Sequence, residues 1–304
     1  MRVLVTGSSG FVGKYLCREL EGQGHDVFGM DLCAGISKYE AGRFFKADIT
    51  DTKAVNEAMK SIMPDYVFHL AAVSYVDFKN PELMYRVNVG GALNVLNACL
   101  MCGSGPGVLL VSSSQVYGAA GENGQPITEG TPPEPVNHYG ASKAAAERIA
   151  FGYAGDSGLK LVVARPFNHT GKGQEEHFVV PKLVRAFRER RDSISLGNID
   201  TVRDFCDVRD VVRAYAILME KGVYGKALNI CSSEGVTIRQ VIGMLEELTS
   251  HKISLDIKEE FIRKNEITCS TGSNRAIKDI ALWSPGIKFK DTLAWMMSWG
   301  CCMD

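Results

Sequence analysis

The chain has 304 residues and a mass of 33.2 kDa, with 45% hydrophobic and 23% charged side chains. That is globular usage with enough apolar surface for a sizeable core, and it excludes a disordered, collagen-like or coiled-coil polypeptide. Lys and Arg number 34 against 35 Asp and Glu, a formal net charge of -1, so no cationic excess draws the chain to nucleic acid or to an anionic membrane.

No apolar run approaches the roughly 20 residues of a spanning helix, and Arg2-Val3-Leu4-Val5-Thr6 reads as a strand instead of a signal peptide. The expectation is a cytoplasmic protein with no nucleic-acid or membrane partner. From residue 1 to about 165 the pattern alternates apolar runs, ending near Thr6, Met30, Lys46, Leu70, Ser112 and Ala164, with helical periodicity at 11–22, 52–62, 82–102 and 139–153. Such alternation builds β-α units, so the expected fold is α/β, a doubly wound parallel sheet of Rossmann type. Asp51 before Lys53-Ala54-Val55, and Pro81 before Leu83, are ordinary helix starts. Residues 118–137, rich in proline and glycine, read as a long surface loop. Beyond Arg165 the pattern loosens: 168–174 is polar, and helices are expected near 178–190, 208–221 and 237–249. The division that follows is 1–165 for the Rossmann domain and 166–304 for a smaller, mainly substrate-binding mixed α/β lobe, some of whose segments return to the first domain.

The nine cysteines are odd in number, and Cys33, Cys206, Cys231 and Cys269 lie far apart, a usage that points to reduced thiols. Cys99 and Cys102 fall within the apolar pattern of Leu93, Leu96 and Leu100 with no second pair or His to complete a tetrahedral site. They read as a buried helical pair, and no metal is expected.

Directly after the first strand, Gly7, Gly10 and Gly13 punctuate Gly7-Ser8-Ser9-Gly10-Phe11-Val12-Gly13 at the entrance to a helix. Glycines there permit a tight turn and let a pyrophosphate approach the backbone at the helix N-terminus. Asp31 ends the second strand, where a carboxylate accepts hydrogen bonds from ribose hydroxyls. This favours NAD(H), with NADP(H) the alternative if Lys38 or Arg43 received a 2′-phosphate. Asp48 closes the third strand beside Ile49 and either holds the adenine edge or caps a turn.

Tyr139-Gly140-Ala141-Ser142-Lys143 places a phenol and an ammonium one helical turn apart. A cation so placed stabilises phenolate, and the expectation is that it draws the tyrosine pKa down towards working pH. The same spacing recurs at Tyr75 and Lys79, but Asn80-Pro81 follows at once. Position selects Tyr139: the fifth strand ends Val111-Ser112-Ser113-Ser114-Gln115, and hydroxyls at the carboxyl end of a parallel strand face the ligand crevice. Ser113, Tyr139 and Lys143 are the candidate catalytic residues.

These motifs, with His69-Leu70-Ala71-Ala72, Asn88-Val89-Gly90-Gly91 and Arg165-Pro166-Phe167-Asn168, resemble the extended short-chain dehydrogenase/reductase family over nearly the whole chain. The resemblance implies that Ser113 binds the substrate oxygen, that Tyr139 exchanges the proton, and that Lys143 holds the nicotinamide ribose. It adds Phe11, Val12, Leu32, Ile49, Leu70, Ala71, Ala72 and Pro166 to the cofactor site. Residues 165–174 and 197–210 are similar to the GDP-sugar branch of 4,6-dehydratases and 4-keto-6-deoxymannose reductases. By that likeness Asn168 and Arg203 hold the diphosphate or ribose, Asn198 faces the guanine, and Ser74, Ser114, Gln115 and Val179 complete the substrate site. Lys172 stands where the branch usually has proline and Cys206 where it has threonine.

A dehydratase needs an acid two residues after the catalytic Ser or Thr, and this chain has Gln115, whose amide does not shuttle a proton near neutral pH. The resemblance therefore implies reduction of a GDP-4-keto-6-deoxyhexose. The alternatives are a nucleotide-sugar 4-epimerase, a GDP-mannose 4,6-dehydratase, and a non-catalytic NAD-binding protein. The expected partner is a GDP-sugar, and the apolar helices at 82–102 and 139–153 suit either a homodimer or the covering of a sheet.

Overall fold

Val3, Val5, Val67, Phe68, Leu109, Val162 and Ala164 are completely enclosed, the burial expected of parallel strands covered by helices on both faces. They belong to a computed structural model that describes residues 1–33, 42–262 and 265–298. Its strands are β1 (Arg2–Thr6), β2 (Asp26–Asp31), β3 (Phe44–Lys46), β4 (Tyr66–His69), β5 (Gly107–Val111), β6 (Leu161–Pro166), β7 (Asn168–Thr170), β8 (Ser193–Leu196), β9 (Val202–Asp207), β10 (Lys226–Ile230), β11 (Gly235–Thr237), β12 (Ser254–Ile257) and β13 (Cys269–Ser270). The α-helices are α1 (Phe11–Gly22), α2 (Thr52–Ile62), α3 (Pro81–Tyr85), α4 (Ala92–Met101), α5 (His138–Ser157), α6 (Val179–Arg188), α7 (Val208–Glu220), α8 (Ile238–Thr249), α9 (Arg275–Ala281) and α10 (Phe289–Met297).

The main sheet has seven parallel strands in the order β10-β6-β5-β4-β1-β2-β3. Leu16 and Leu20 of α1 and Val211, Tyr215 and Leu218 of α7 fill one face, while Val55 and Met59 of α2, Val95 and Leu96 of α4 and Ala150 of α5 fill the other. Strand order reverses between β1 and β4, and such a switch point opens a crevice at the carboxyl ends of the strands. β10 arrives from the second half of the chain to pair with β6, in register Leu228 to Ala164. The remaining strands form a smaller sheet in which β9 pairs β11, β13 and β7, plus the parallel pair β8 and β12. A third core, with Leu183 and Phe187 of α6, Val241 and Leu245 of α8 and Leu293 of α10, lies beside them.

Asp51 caps α2, its Oδ1 accepting from the amides of Lys53 and Ala54 at 2.9 and 3.2 Å, and Pro81 opens α3 behind the Asn80 cap. One expectation needs correction. The helix expected over 82–102 is divided into α3, a π-turn at Arg86–Gly91, and α4. The turn seats the buried Asn88, whose Nδ2 donates to the Val73 carbonyl at 3.0 Å and to Ser142 Oγ at 2.9 Å, and whose Oδ1 accepts from the Val73 amide at 2.8 Å. π-turns recur at functional sites, and here the turn ties the cleft wall to α5. Within the polar stretch after Arg165, Asn168–Thr170 pairs with β9 in the register Asn168 to Phe205.

Candidate active site

A cleft of about 790 Å³ runs over the carboxyl ends of the main sheet. Gly7, Gly10, Phe11, Val12 and Gly13 form its floor at one end. Gly7 takes φ +71°, and a Cβ on it would stand 2.8 Å from the Ala71 amide nitrogen. A Cβ on Gly13 would overlap the Gly7 carbonyl oxygen, so α1 packs against the turn only because position 13 lacks a side chain. Gly10 precedes α1, and among the described residues no side chain caps this helix. Its first amides are left for an anionic ligand, as helix N-termini that bind phosphate require.

Asp31 lines the same end; its Oδ2 accepts from the Ser9 amide at 2.9 Å and its Oδ1 from the Leu32 amide at 2.7 Å. Those bonds fix the carboxylate at the end of β2. Lys38 lies outside the described residues, and Arg43 pairs with Asp26 at 2.9 Å. Asp48 also reaches the cleft, but its Oδ1 accepts from the amide and hydroxyl of Thr50, both at 2.8 Å, so it closes a turn as well. Leu32, Ile49, Leu70, Ala71, Ala72 and Pro166 line the walls. These groups fit a dinucleotide: an uncapped helix end for its phosphates, a fixed carboxylate for a ribose, and apolar walls for its rings.

At the other end the cleft reaches Ser113, Tyr139 and Lys143, with Ser74, Ser114, Gln115 and Asn168 around them. Asn137 caps α5, its Oδ1 accepting from the Gly140 amide at 2.8 Å, so Tyr139 stands in the first turn. Ser113 hydrogen-bonds with the Tyr139 phenol. The Lys143 ammonium, one turn on, donates to the Val111 carbonyl at 2.9 Å. The expected lowering of the tyrosine pKa is not what the geometry produces. Burial pushes Tyr139 up to about 12, the Ser113 hydrogen bond acting against it. The lysine is itself brought down from 10.5 to about 8 by burial, with the charge of Glu147 opposing. At neutral pH the site therefore holds a phenol and an ammonium.

Glu147, one turn beyond Lys143, is buried and held by Arg165 of β6: Nε donates to Oε1 and Oε2 at 3.0 and 3.2 Å, and Nη2 to Oε2 at 2.6 Å. Arg165 Nη1 donates to the Tyr117 hydroxyl at 2.9 Å, which donates to Asn229 Oδ1 at 2.7 Å. Neither Glu147 nor Asn137 was singled out from the sequence, although the Tyr-Lys-Glu spacing of 139, 143 and 147 puts all three side chains on one helix face. His69 Nδ1 and the Thr6 hydroxyl share a hydrogen bond at 2.8 Å, and Thr6 Oγ1 also accepts from the Ala71 amide at 3.2 Å. Burial, with the nearby Lys143 charge, lowers it to about 3, so it is a neutral brace between β1 and β4.

The rival pair is not assembled. No helix runs through Tyr75 and Lys79, and the Tyr75 ring packs edge-on against His177 at 4.7 Å. Val179, Asn198 and Arg203 are not among the residues lining the cleft. Val179 opens α6 behind Phe178, which does line it; Asn198 donates to Glu266 at 2.9 Å and accepts from the Asp200 amide at 3.0 Å; Arg203 Nη1 donates to the Val202 carbonyl at 2.8 Å. Cys99 and Cys102 are buried at the end of α4. Among the described residues no helix is long and apolar enough to cross a membrane.

The sequence profile of the family described as "NAD dependent epimerase/dehydratase family" matches residues 3–231, the stretch that carries every feature of this cleft. The chain belongs to that family. It is 35% identical over 271 residues to the GDP-6-deoxy-D-talose 4-dehydrogenase of Aggregatibacter actinomycetemcomitans, covering 88% of this chain and 86% of that protein. It is 33% identical over 304 residues to the GDP-6-deoxy-D-mannose reductase of Pseudomonas aeruginosa, covering 98% and 96%. Among solved structures, RMD from Pseudomonas aeruginosa complexed with NADPH superposes with a TM-score of 0.84 at 32% identity, covering 98% of both chains.

Proposed function

We propose that the protein reduces the 4-keto group of a GDP-4-keto-6-deoxyhexose, converting GDP-4-keto-6-deoxy-D-mannose to GDP-D-rhamnose, with NADH preferred to NADPH. The observation that carries this reading is the joining of Ser113, Tyr139 and Lys143 in one cleft with an amide, Gln115, where elimination needs an acid. The likeness to the mannose reductase over the full chain supports it. Residues 1–165 form the dinucleotide half, most of 166–304 the substrate lobe, and two chains assemble as a cytoplasmic homodimer.

The bound dinucleotide supplies the hydride. The chain supplies the proton and its control. Tyr139, held as a neutral phenol, gives its proton to the carbonyl oxygen as that oxygen becomes an alkoxide, and Ser113 steadies the same oxygen with a hydrogen bond. Lys143 spends one N–H on the Val111 carbonyl, and its two others, without an acceptor among the described residues, remain for a ribose hydroxyl. Asp31 accepts from ribose hydroxyls and repels a 2′-phosphate. Asn168 lines the cleft and meets the nucleotide portion; Asn198 and Arg203, beyond that lining, are the further candidates for the nucleotide.

A second reading concerns stereochemistry, because the Aggregatibacter relative is named for the talose sugar. Proton NMR of the product decides between them: the coupling at H4 distinguishes the rhamno from the talo configuration, and a talo product would replace the proposed one.

A further inference from the structure

Asn137 is committed at both ends of its amide. Its Oδ1 accepts from the Gly140 amide at 2.8 Å to cap α5, which leaves Nδ2 as the outward atom, and Nδ2 donates to Gln115 Oε1 at 3.0 Å. An oxygen cannot take the place of either nitrogen in this chain of bonds, so the orientation of the Gln115 amide is forced from the helix cap outwards. Gln115 lines the cleft, and among the described residues its Nε2 has no protein acceptor. The two segments have little freedom to slip. The Gln115 backbone N–H donates to Ser113 Oγ at 3.2 Å, and a Cβ on Gly140 would overlap the Gln115 backbone carbonyl oxygen.

We propose that Asn137 is a positioning residue that sets the polarity of the substrate site: by occupying Gln115 Oε1 it presents the Gln115 NH2 to the cleft, so that this subsite takes a sugar oxygen as acceptor beside the reacting carbonyl. The proposal rests on the reading of the cleft as a nucleotide-sugar site. Ser113, two residues before Gln115, holds the reacting oxygen in that reading, and the oxygen meeting Gln115 is therefore a hydroxyl or ring ether of the same hexose.

Asn137→Asp inverts the arrangement without touching Gln115. Asp caps a helix as well as Asn, but its carboxylate donates nothing, so the Gln115 NH2 turns to meet it and Oε1 faces the cleft. With protein labelled at the five glutamines, the Gln115 side-chain NH2 resonance, assigned by its loss in Gln115→Ala, is expected to move downfield in Asn137→Asp as it gains a carboxylate acceptor. The affinity for GDP-rhamnose by calorimetry, and kcat/KM for the keto sugar, are each expected to fall about tenfold, with the melting temperature and the Kd for NADH unchanged. On a Gln115→Ala background the same substitution is expected to add nothing. An unmoved resonance, an unchanged affinity for GDP-rhamnose, or an equal loss on the Gln115→Ala background overturns the proposal. If the wild type binds GDP-rhamnose in an Asn137-dependent way but does not reduce the keto sugar, the proposed reaction fails and the polarity assignment stands; if it binds no GDP-sugar, both fail.

Discussion

Replacing Glu147 by Gln removes one charge from a pair that is almost wholly enclosed, the side chains of Arg165 and Glu147 being 7% and 4% exposed. The guanidinium then keeps its bond to the Tyr117 hydroxyl at 2.9 Å and its stacking over that ring at 5.0 Å, but no counter-charge. Breaking a buried pair on one side costs about 3–5 kcal/mol, because the remaining charge stays desolvated. Against a total stability of about 5–15 kcal/mol, that is enough to move the midpoint of urea unfolding far down at unchanged slope. Replacing both partners, Glu147→Met with Arg165→Met, leaves no charge to strand and is expected to recover most of the loss. Urea unfolding followed by tryptophan fluorescence measures both variants. A Glu147→Gln cost below about 1 kcal/mol, or a double variant no better than the single, would refute the claim that pairing, and not mere packing, holds this part of the site. The same substitution withdraws the charge that holds the Lys143 pKa up, so whatever depends on the ammonium is lost at lower pH than in the wild type.

Lys143 gives a linked pH dependence. A folded value of about 8 against an ordinary 10.5 means that the unfolded chain binds the proton more tightly. The folded state thus carries a penalty of about 3 kcal/mol below pH 8 that is relieved as pH rises to 10.5. Lys143→Met is expected to be the more stable protein at pH 7, with the gap closing over that window; equal unfolding midpoints at pH 7 contradict this. Tyr139→Phe is expected to lose about 100- to 10,000-fold in turnover while binding cofactor as before, and an active Tyr139→Phe beside an inactive Tyr75→Phe would reverse the assignment. Fluorescence titration is expected to show tighter binding of NADH than of NADPH, and the opposite order would mean that Asp31 does not govern the choice. Mass spectrometry of GDP-mannose incubated with protein and NAD is expected to show no loss of water, and Gln115→Glu at most a trace, since about 1 Å of misplacement costs about 100-fold.

The fold was readable because the first half of the chain repeats one physical unit. Apolar strands such as residues 107–111 and capped amphipathic helices such as 52–62 carry their periods in the open. The break at Asn88 was not readable, because a π-turn is set by a tertiary need, the holding of Val73 and Ser142, that leaves the apolar period of 82–102 intact. At the site, Gly7, Asp31, Ser113 and Tyr139 stood out by their places at strand and helix ends, and all line the cleft. Asn137 and Glu147 did not stand out, because a helix cap and a buried helical acid are common features whose meaning depends on their partners, Gln115 and Arg165, distant in sequence. The sign of the Tyr139 shift was misjudged for a related reason: spacing gives the nearness of a cation but not the burial that raises the value.

The most direct test of the account is a stoichiometric one. Purified protein, GDP-4-keto-6-deoxy-D-mannose and NADH are mixed, and cofactor oxidation by absorbance is set against sugar product formed. One NADH is expected to be consumed for each GDP-6-deoxyhexose made, with turnover abolished in Tyr139→Phe. A sugar nucleotide converted to its C4 epimer with no net oxidation of NADH, or no conversion of the keto sugar at all, would contradict it.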